Sequence, residues 1–243
     1  MPIVSRMKKY VPNLITLSNL LCGTVAIVFA VRGTIDWAAL FVAIGIFLDF
    51  FDGFFARLLH VKSEMGLQLD SLADMVTSGV VPGIVMFQLL NNSTYVLQTE
   101  GTFAMLLPYV GFLITLASAY RLANFNIDTR QTSGFIGLPT PANTMFILSL
   151  PLILQYQPTE LFDSLLHNMW VLLGITLLSA YLLNAEIALF ALKFSDYSFK
   201  NNALKYIFLA LCVILLLSLK IIAIPLIILL YIILSLLPIL PKR

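Results

Sequence analysis

Four aspartates, Asp49, Asp52, Asp70 and Asp74, fall within residues 49–74 of a chain that is 60% hydrophobic. Their spacing is D-x2-D-G-x2-A-R-x8-G-x3-D-x3-D. On a helix Asp49 and Asp52 are i,i+3 neighbours, and Asp70 and Asp74 are i,i+4 neighbours, so each pair shares a face. A carboxylate at the centre of a membrane helix costs roughly 2.5–3.5 kcal/mol, so four uncompensated ones would cost on the order of 10 kcal/mol. Clustered hard oxygen ligands of this kind suit one or two divalent cations such as Mg²⁺ or Mn²⁺.

The elements that position these residues must be membrane helices. Mean hydropathy is +0.98, only 11% of residues are charged, and long apolar runs recur throughout. Runs near the ~20 residues that cross a hydrocarbon core occur at 12–31, 36–57, 70–90, 103–123, 140–156, 168–192, 203–219 and 222–239. The fold class read from them is all-α, a polytopic transmembrane bundle of about eight spans, with residues 1–243 forming one domain. The last two runs are divided only by Lys220 and its neighbours, so seven spans with one broken helix is the other reading; Pro225 would break or start a helix there.

Charge sets the orientation. Eight spans place Arg6, Lys8, Lys9, Arg57, Lys62, Arg121, Arg130, Lys193, Lys200, Lys205, Lys242 and Arg243 on one side, and only Arg32 and Lys220 on the other. This asymmetry predicts cytoplasmic termini and a cytoplasmic aspartate loop in an integral membrane protein. The first apolar run is too long for a cleavable leader and reads as an uncleaved span. Cys22 and Cys212 lie in apolar runs and read as small core residues.

Asp49 precedes Arg57 by eight residues, ~12 Å along a helix. A polar loop over Leu58–Leu69 follows, and the next helix returns with Gly66, Asp70, Asp74 and Ser78 on one stripe. Two antiparallel helices would bring both aspartate pairs together just below the cytoplasmic surface. Gly53 and Ala56, on the face of Asp49 and Asp52, leave room for a bulky ligand or a closely packed helix.

The aspartate string resembles the CDP-alcohol phosphatidyltransferase family, every position of whose pattern is present. The resemblance implies that Asp49, Asp52, Asp70 and Asp74 bind two divalent metals, Mg²⁺ or Mn²⁺, and that a CDP-linked lipid presents its diphosphate to them. It implies that Asp74 is also the catalytic base, and that Gly53, Ala56, Arg57 and Gly66 serve the nucleotide and diphosphate. VPNLITLSNLLCG resembles the family's first helix, which implies that Asn13 and Thr16 line the nucleotide site; a helix cap and a bundle hydrogen bond are their ordinary roles. LDFFDGFFAR, LQLDSLADMVTSGVVP and YRLANFNIDTRQTSGFIGLPTPAN resemble the Bacillus-type integral-membrane phosphatidylserine synthases within that family. KFSDYSFK from Lys193 resembles the subgroup's cytoplasmic segment, while Asn124 stands where many members carry a basic residue.

The implied reaction transfers a phosphatidyl group from CDP-diacylglycerol to L-serine, giving phosphatidylserine and CMP. A diphosphate and four carboxylates repel each other, so metals and Arg57 must offset the charge. A hydroxyl is a weak nucleophile and needs a base, for which Asp74 is placed. Arg121, at the cytoplasmic end of the fourth run, is the candidate for the serine carboxylate, or is a positive-inside anchor. Glu186 reads as an intramembrane acid about seven residues inside the sixth run, a candidate for the serine amine or a structural partner. Glycerol 3-phosphate, an inositol phosphate or choline are the alternative acceptors. A cation transporter is the alternative class, disfavoured because all four aspartates fall in one hairpin. Expected partners are CDP-diacylglycerol, L-serine and membrane lipids, with no nucleic acid; a homodimer is compatible with the sequence.

Overall fold

The computed structural model describes residues 10–61, 63–128, 134–190 and 198–236. Lys62, Arg130 and Lys193 lie outside the described residues, as do Arg6, Lys8, Lys9, Lys242 and Arg243. Helices α1 (Tyr10–Val31) and α2 (Ile35–Leu58) form an antiparallel pair. The turn between them uses Gly33 at φ 77°, a conformation that favours glycine. Ala26, Ala30 and Ala38 are fully buried, and Phe29 stacks on Trp37 and Phe41 with ring centroids 5.9 and 5.6 Å away.

Ser63 starts α3 (Glu64–Asp74) by accepting a hydrogen bond from Gly66 N–H at 3.0 Å. The loop expected over Leu58–Leu69 is therefore much shorter, because the Ser63 cap starts the helix at Glu64 and no proline interrupts it. After Asp74 the chain widens into a π-helical stretch, Met75–Val80, before α4 (Val81–Asn91). The cause is local. Pro82 has no N–H for the Ser78 carbonyl four residues back, and Val81 N–H reaches Val76 O instead. Two side chains reach the displaced carbonyls: Thr115 Oγ1 donates to Gly79 O at 3.0 Å, and Thr144 Oγ1 shares its proton between Ser78 O at 2.9 Å and its own helix's Thr140 O at 2.8 Å. Wide turns of this kind concentrate at functional sites.

Short helices α5 (Thr94–Gln98) and α6 (Thr102–Leu106) and a 3₁₀ stretch (Leu107–Phe112) lead into α7 (Leu113–Ile127). The all-α bundle carries one small ribbon: β1 (Gly134–Ile136) pairs antiparallel with β2 (Ala188–Phe190), Gly134 opposite Phe190 and Ile136 opposite Ala188. Gly137 follows at φ 75°, where a Cβ would stand 2.6 Å from Leu183 O. Helices α8 (Thr140–Tyr156), α9 (Glu160–Leu166) and α10 (Met169–Asn184) come next, with a 72° bend between the last two. The sixth run thus leaves its helix at Asn184, not at residue 192, because backbone groups after it pair with the 134–138 segment: Gly137 N–H donates to Ile187 O at 2.9 Å. Glu186 is consequently exposed and outside any helix, a correction to its reading as an acid within the span.

Helices α11 (Phe199–Leu219) and α12 (Ala223–Leu236) double back on each other at Lys220, which has φ 52°. Phe208 and Tyr231 have ring centroids 5.8 Å apart, whereas a continuous helix would separate them by about 34 Å. Gln157 ties the reversal: its Oε1 accepts from Ile221 N–H at 2.8 Å and Ile222 N–H at 3.2 Å, and its Nε2 donates to Leu219 O at 3.1 Å.

Among the described residues, five helical stretches are long and apolar enough to cross a membrane, or six if α9 and α10 form one span. One of the five, Asn202–Leu236, is the doubled-back α11–α12 pair. The core centres on α4, with Met86, Leu90, Ile114, Ile147 and Leu172 fully buried. Outward faces are apolar too, as expected of helices bathed in lipid; Leu217 is 80% exposed.

Candidate active site

Asp49, Asp52 and Asp70 each direct one carboxylate oxygen to a common point, and the three atoms lie within 4.8 Å of one another. Antiparallel packing of α2 against α3 across the short turn makes this possible. Asp52 is 6% exposed and accepts a 2.5 Å hydrogen bond from Thr16 Oγ1 of α1. Asp70 Oδ1 is buried and has no hydrogen-bond partner. Asp49 sits close enough to Asp74, Asp70 and Asp52 for the like charges to repel one another. Among the described residues no lysine or arginine forms an ion pair with any of the four aspartates. Three clustered carboxylates, one with an orphaned buried oxygen, fit a hard divalent cation by the chemistry of their donor set.

Asp74 stands outside this trio but beside it. Its Oδ1 accepts from Asn19 Nδ2 at 3.3 Å. Asn19 is fully buried, and its own Oδ1 accepts from Thr77 Oγ1 at 2.8 Å. Small residues allow this close approach: a Cβ on Gly45 would lie 2.8 Å from Asn19 Oδ1, and one on Gly23 would run into Thr77 Oγ1. Sequence reasoning missed Asn19. The available signal was its place three residues after Thr16 on an otherwise apolar helix, which puts both side chains on one face.

The other predicted residues gather around the aspartates. Gly53 and Arg57 are neighbours on α2, with Arg57 Nη1 3.5 Å from a Cβ built on Gly53 and the side chain exposed. Ala56 lies one turn beyond Asp52 and is half-buried. Asn13 crosses to the start of α3, where its Oδ1 would sit 3.4 Å from a Cβ on Gly66. Thr16, grouped by resemblance with the nucleotide residues, is 3% exposed and turned onto Asp52.

Arg121 on α7 is only 7% exposed, so it is no surface anchor. It interacts electrostatically with Asp74 and with Tyr231, and its Nε has no partner. Tyr231 donates to Phe190 O at 2.8 Å, another contact that required the α11–α12 reversal. Asn126 Nδ2 donates to Ser71 Oγ at 2.8 Å, tying α7 to α3. Asn124 is exposed, and Asn184 donates to Ala117 O at 3.0 Å.

The hairpin of α2 and α3 gathers the four aspartates of residues 49–74, and the buried Arg121 of α7 joins them from outside that string. The sequence model of the CDP-alcohol phosphatidyltransferases matches residues 9–191, well over half of the chain, and the chain belongs to that family. Among its relatives, the CDP-diacylglycerol–serine O-phosphatidyltransferase of Bacillus subtilis (strain 168) is 39% identical over 145 residues, covering 58% of this chain and 75% of the relative. The protein of the same name from Helicobacter pylori (strain ATCC 700392 / 26695) is 32% identical over 176 residues, covering 69% of each. The archaetidylserine synthase of Methanothermobacter thermautotrophicus is 28% identical over 143 residues, covering 57% of this chain and 56% of the relative.

Proposed function

We propose that this chain transfers a phosphatidyl group from CDP-diacylglycerol to L-serine, releasing CMP, at the cytoplasmic side of a bacterial plasma membrane, with the whole chain acting as one catalytic domain. The observation that carries the reading is the convergence of Asp49, Asp52 and Asp70 to within 4.8 Å, next to Asp74, which in turn interacts with the buried Arg121. The names of the relatives point to serine as the acceptor.

Asp49, Asp52 and Asp70 would hold a divalent cation, Mg²⁺ or Mn²⁺, with Asp74 contributing to a second ion. When bound, such ions offset the charge of a diphosphate and of the transferring phosphoryl group. The chain's own residues supply the rest. Arg57, exposed beside Gly53, pairs with phosphate oxygens. Asn13, Gly53, Ala56 and Gly66 leave the open edge of the site to the nucleotide. The serine hydroxyl attacks the phosphorus that carries diacylglycerol, the bond to the CMP oxygen breaks, and Asp74 takes the hydroxyl proton. Asn19 orients the Asp74 carboxylate for that transfer. Arg121 takes the serine carboxylate through two parallel hydrogen bonds. Lipid tails stay in the bilayer while the polar reactants arrive from the aqueous side.

The test is CMP release from CDP-diacylglycerol by purified protein with Mg²⁺ or Mn²⁺ and each candidate alcohol in turn. L-serine should stimulate release; EDTA or Asp49→Ala should abolish it. Release with glycerol 3-phosphate but none with serine would overturn the substrate, and full turnover of Asp49→Ala would overturn the site.

A further inference from the structure

Hydroxyls inside membrane helices ordinarily donate to the carbonyl one turn back. Ser18, Thr24, Thr176 and Ser235 do so here, at 2.7–2.9 Å. Ser78 and Ser118 do not. Both are fully buried, and among the described residues neither Oγ has a hydrogen-bond partner. Orphaned buried polar groups are costly and call for an explanation.

Their positions supply one. Ser78 lies four residues beyond Asp74 in the π-helical stretch, and Ser118 three residues before Arg121 on the facing α7. The two elements touch: a Cβ on Gly79 would stand 3.2 Å from Ser118 Cβ, and Thr115 donates to Gly79 O. Because α3 enters the bundle as α7 leaves it, both hydroxyls fall about one turn, ~5 Å, deeper than the Asp74–Arg121 pair. Arg121 Nε is also unpartnered. Arg121 Nε beside the base and the two hydroxyls one turn further in are thus three buried polar atoms that no hydrogen bond uses among the described residues.

We propose that Ser78 and Ser118 are specificity-determining residues of the acceptor site, their oxygens accepting hydrogen bonds from the ammonium of an amino-acid alcohol whose carboxylate Arg121 holds. This rests on the serine reading above. An ammonium brings three donors and no acceptor, which matches hydroxyl lone pairs that nothing else occupies. Asp74 nearby favours positive charge at that position, and Arg121 is left to the carboxylate. A trimethylammonium group has no N–H to offer, so this floor selects against choline. Two neutral hydroxyls likewise offer a phosphorylated acceptor no second cation.

The experiment uses the full chain in lipid nanodiscs with CDP-diacylglycerol and Mn²⁺, comparing wild type with Ser78→Ala, Ser118→Ala and the isosteric Ser118→Cys. CMP release is measured against L-serine, and inhibition by 3-hydroxypropionate, which keeps the hydroxyl and carboxylate but lacks the amine. Each variant should raise the KM for serine about 10-fold or more, the loss of a charge-assisted hydrogen bond, and leave inhibition by 3-hydroxypropionate and the KM for CDP-diacylglycerol within twofold. Equal weakening of serine and 3-hydroxypropionate would show a packing role and overturn the proposal, as would an unchanged serine KM in Ser78→Ala and Ser118→Ala. Should an alanine variant not fold, Ser118→Cys decides by the same two ratios. A wild type that releases no CMP with serine overturns the substrate reading and this pocket with it, whereas wild-type turnover with unmoved variant KM values overturns the pocket alone.

Discussion

Replacing Thr16 with Val separates two roles for a residue that resemblance and geometry assign differently. A nucleotide-lining threonine would affect the KM for CDP-diacylglycerol. The structure instead has Thr16 Oγ1 donating to Asp52 Oδ2 at 2.5 Å, with the two residues 3% and 6% exposed. Valine keeps the shape and removes the donor, leaving a buried carboxylate oxygen short of one partner. A hydrogen bond to a charged group contributes about 1.5–3 kcal/mol, which at 1.36 kcal/mol per decade is about 10- to 150-fold. Loss of a residue that orients a metal ligand typically costs a similar ~10–100-fold in metal affinity or activity. The assay is CMP release titrated with Mn²⁺, read as the half-activating concentration, beside direct Mn²⁺ binding followed by electron paramagnetic resonance. Thr16→Val should raise both midpoints by about an order of magnitude or more, with the KM for CDP-diacylglycerol unchanged at saturating metal, and Thr16→Ser should stay near wild type. An unmoved metal midpoint together with a raised lipid-nucleotide KM would refute the positioning role.

Three further outcomes follow from the same geometry. Asp74→Asn should still bind CDP-diacylglycerol, measured by equilibrium binding, yet lose about 10²–10⁴-fold in kcat; near-normal kcat would remove Asp74 from the base role. Gln157→Leu deletes three hydrogen bonds at the α11–α12 reversal and should destabilise the protein by about 1–3 kcal/mol, seen as a lower melting temperature in detergent without a change in the KM for serine. For topology, cysteines placed at the exposed Glu64 and Glu100 should react with an impermeant maleimide from opposite sides of the membrane, Glu64→Cys from the cytoplasm; labelling of both from outside would contradict the orientation.

Much of this protein could be read from one dimension because membrane insertion and metal chemistry both write local rules. Apolar length marks helices wherever backbone groups must be satisfied within the segment, and basic residues mark the side. The aspartate spacing alone puts each pair on one helix face, and a short loop forces the pairs together, so Asp49, Asp52 and Asp70 meet as expected. Other features depended on partners far along the chain. The π-helical stretch after Asp74 persists because Thr115 and Thr144, on two other helices, reach the carbonyls that Pro82 strands. Thr16 and Asn19 acquire their roles only when α1 lies against α2 and α3, and Arg121 gains Tyr231 as a neighbour only when α12 packs back into the bundle. Glu186 left its helix because the backbone beyond Asn184 found hydrogen-bond partners in the 134–138 segment. Periodicity and spacing report what a residue's own helix does with it; which carbonyl, carboxylate or vacant hydroxyl it meets across the bundle is decided by packing.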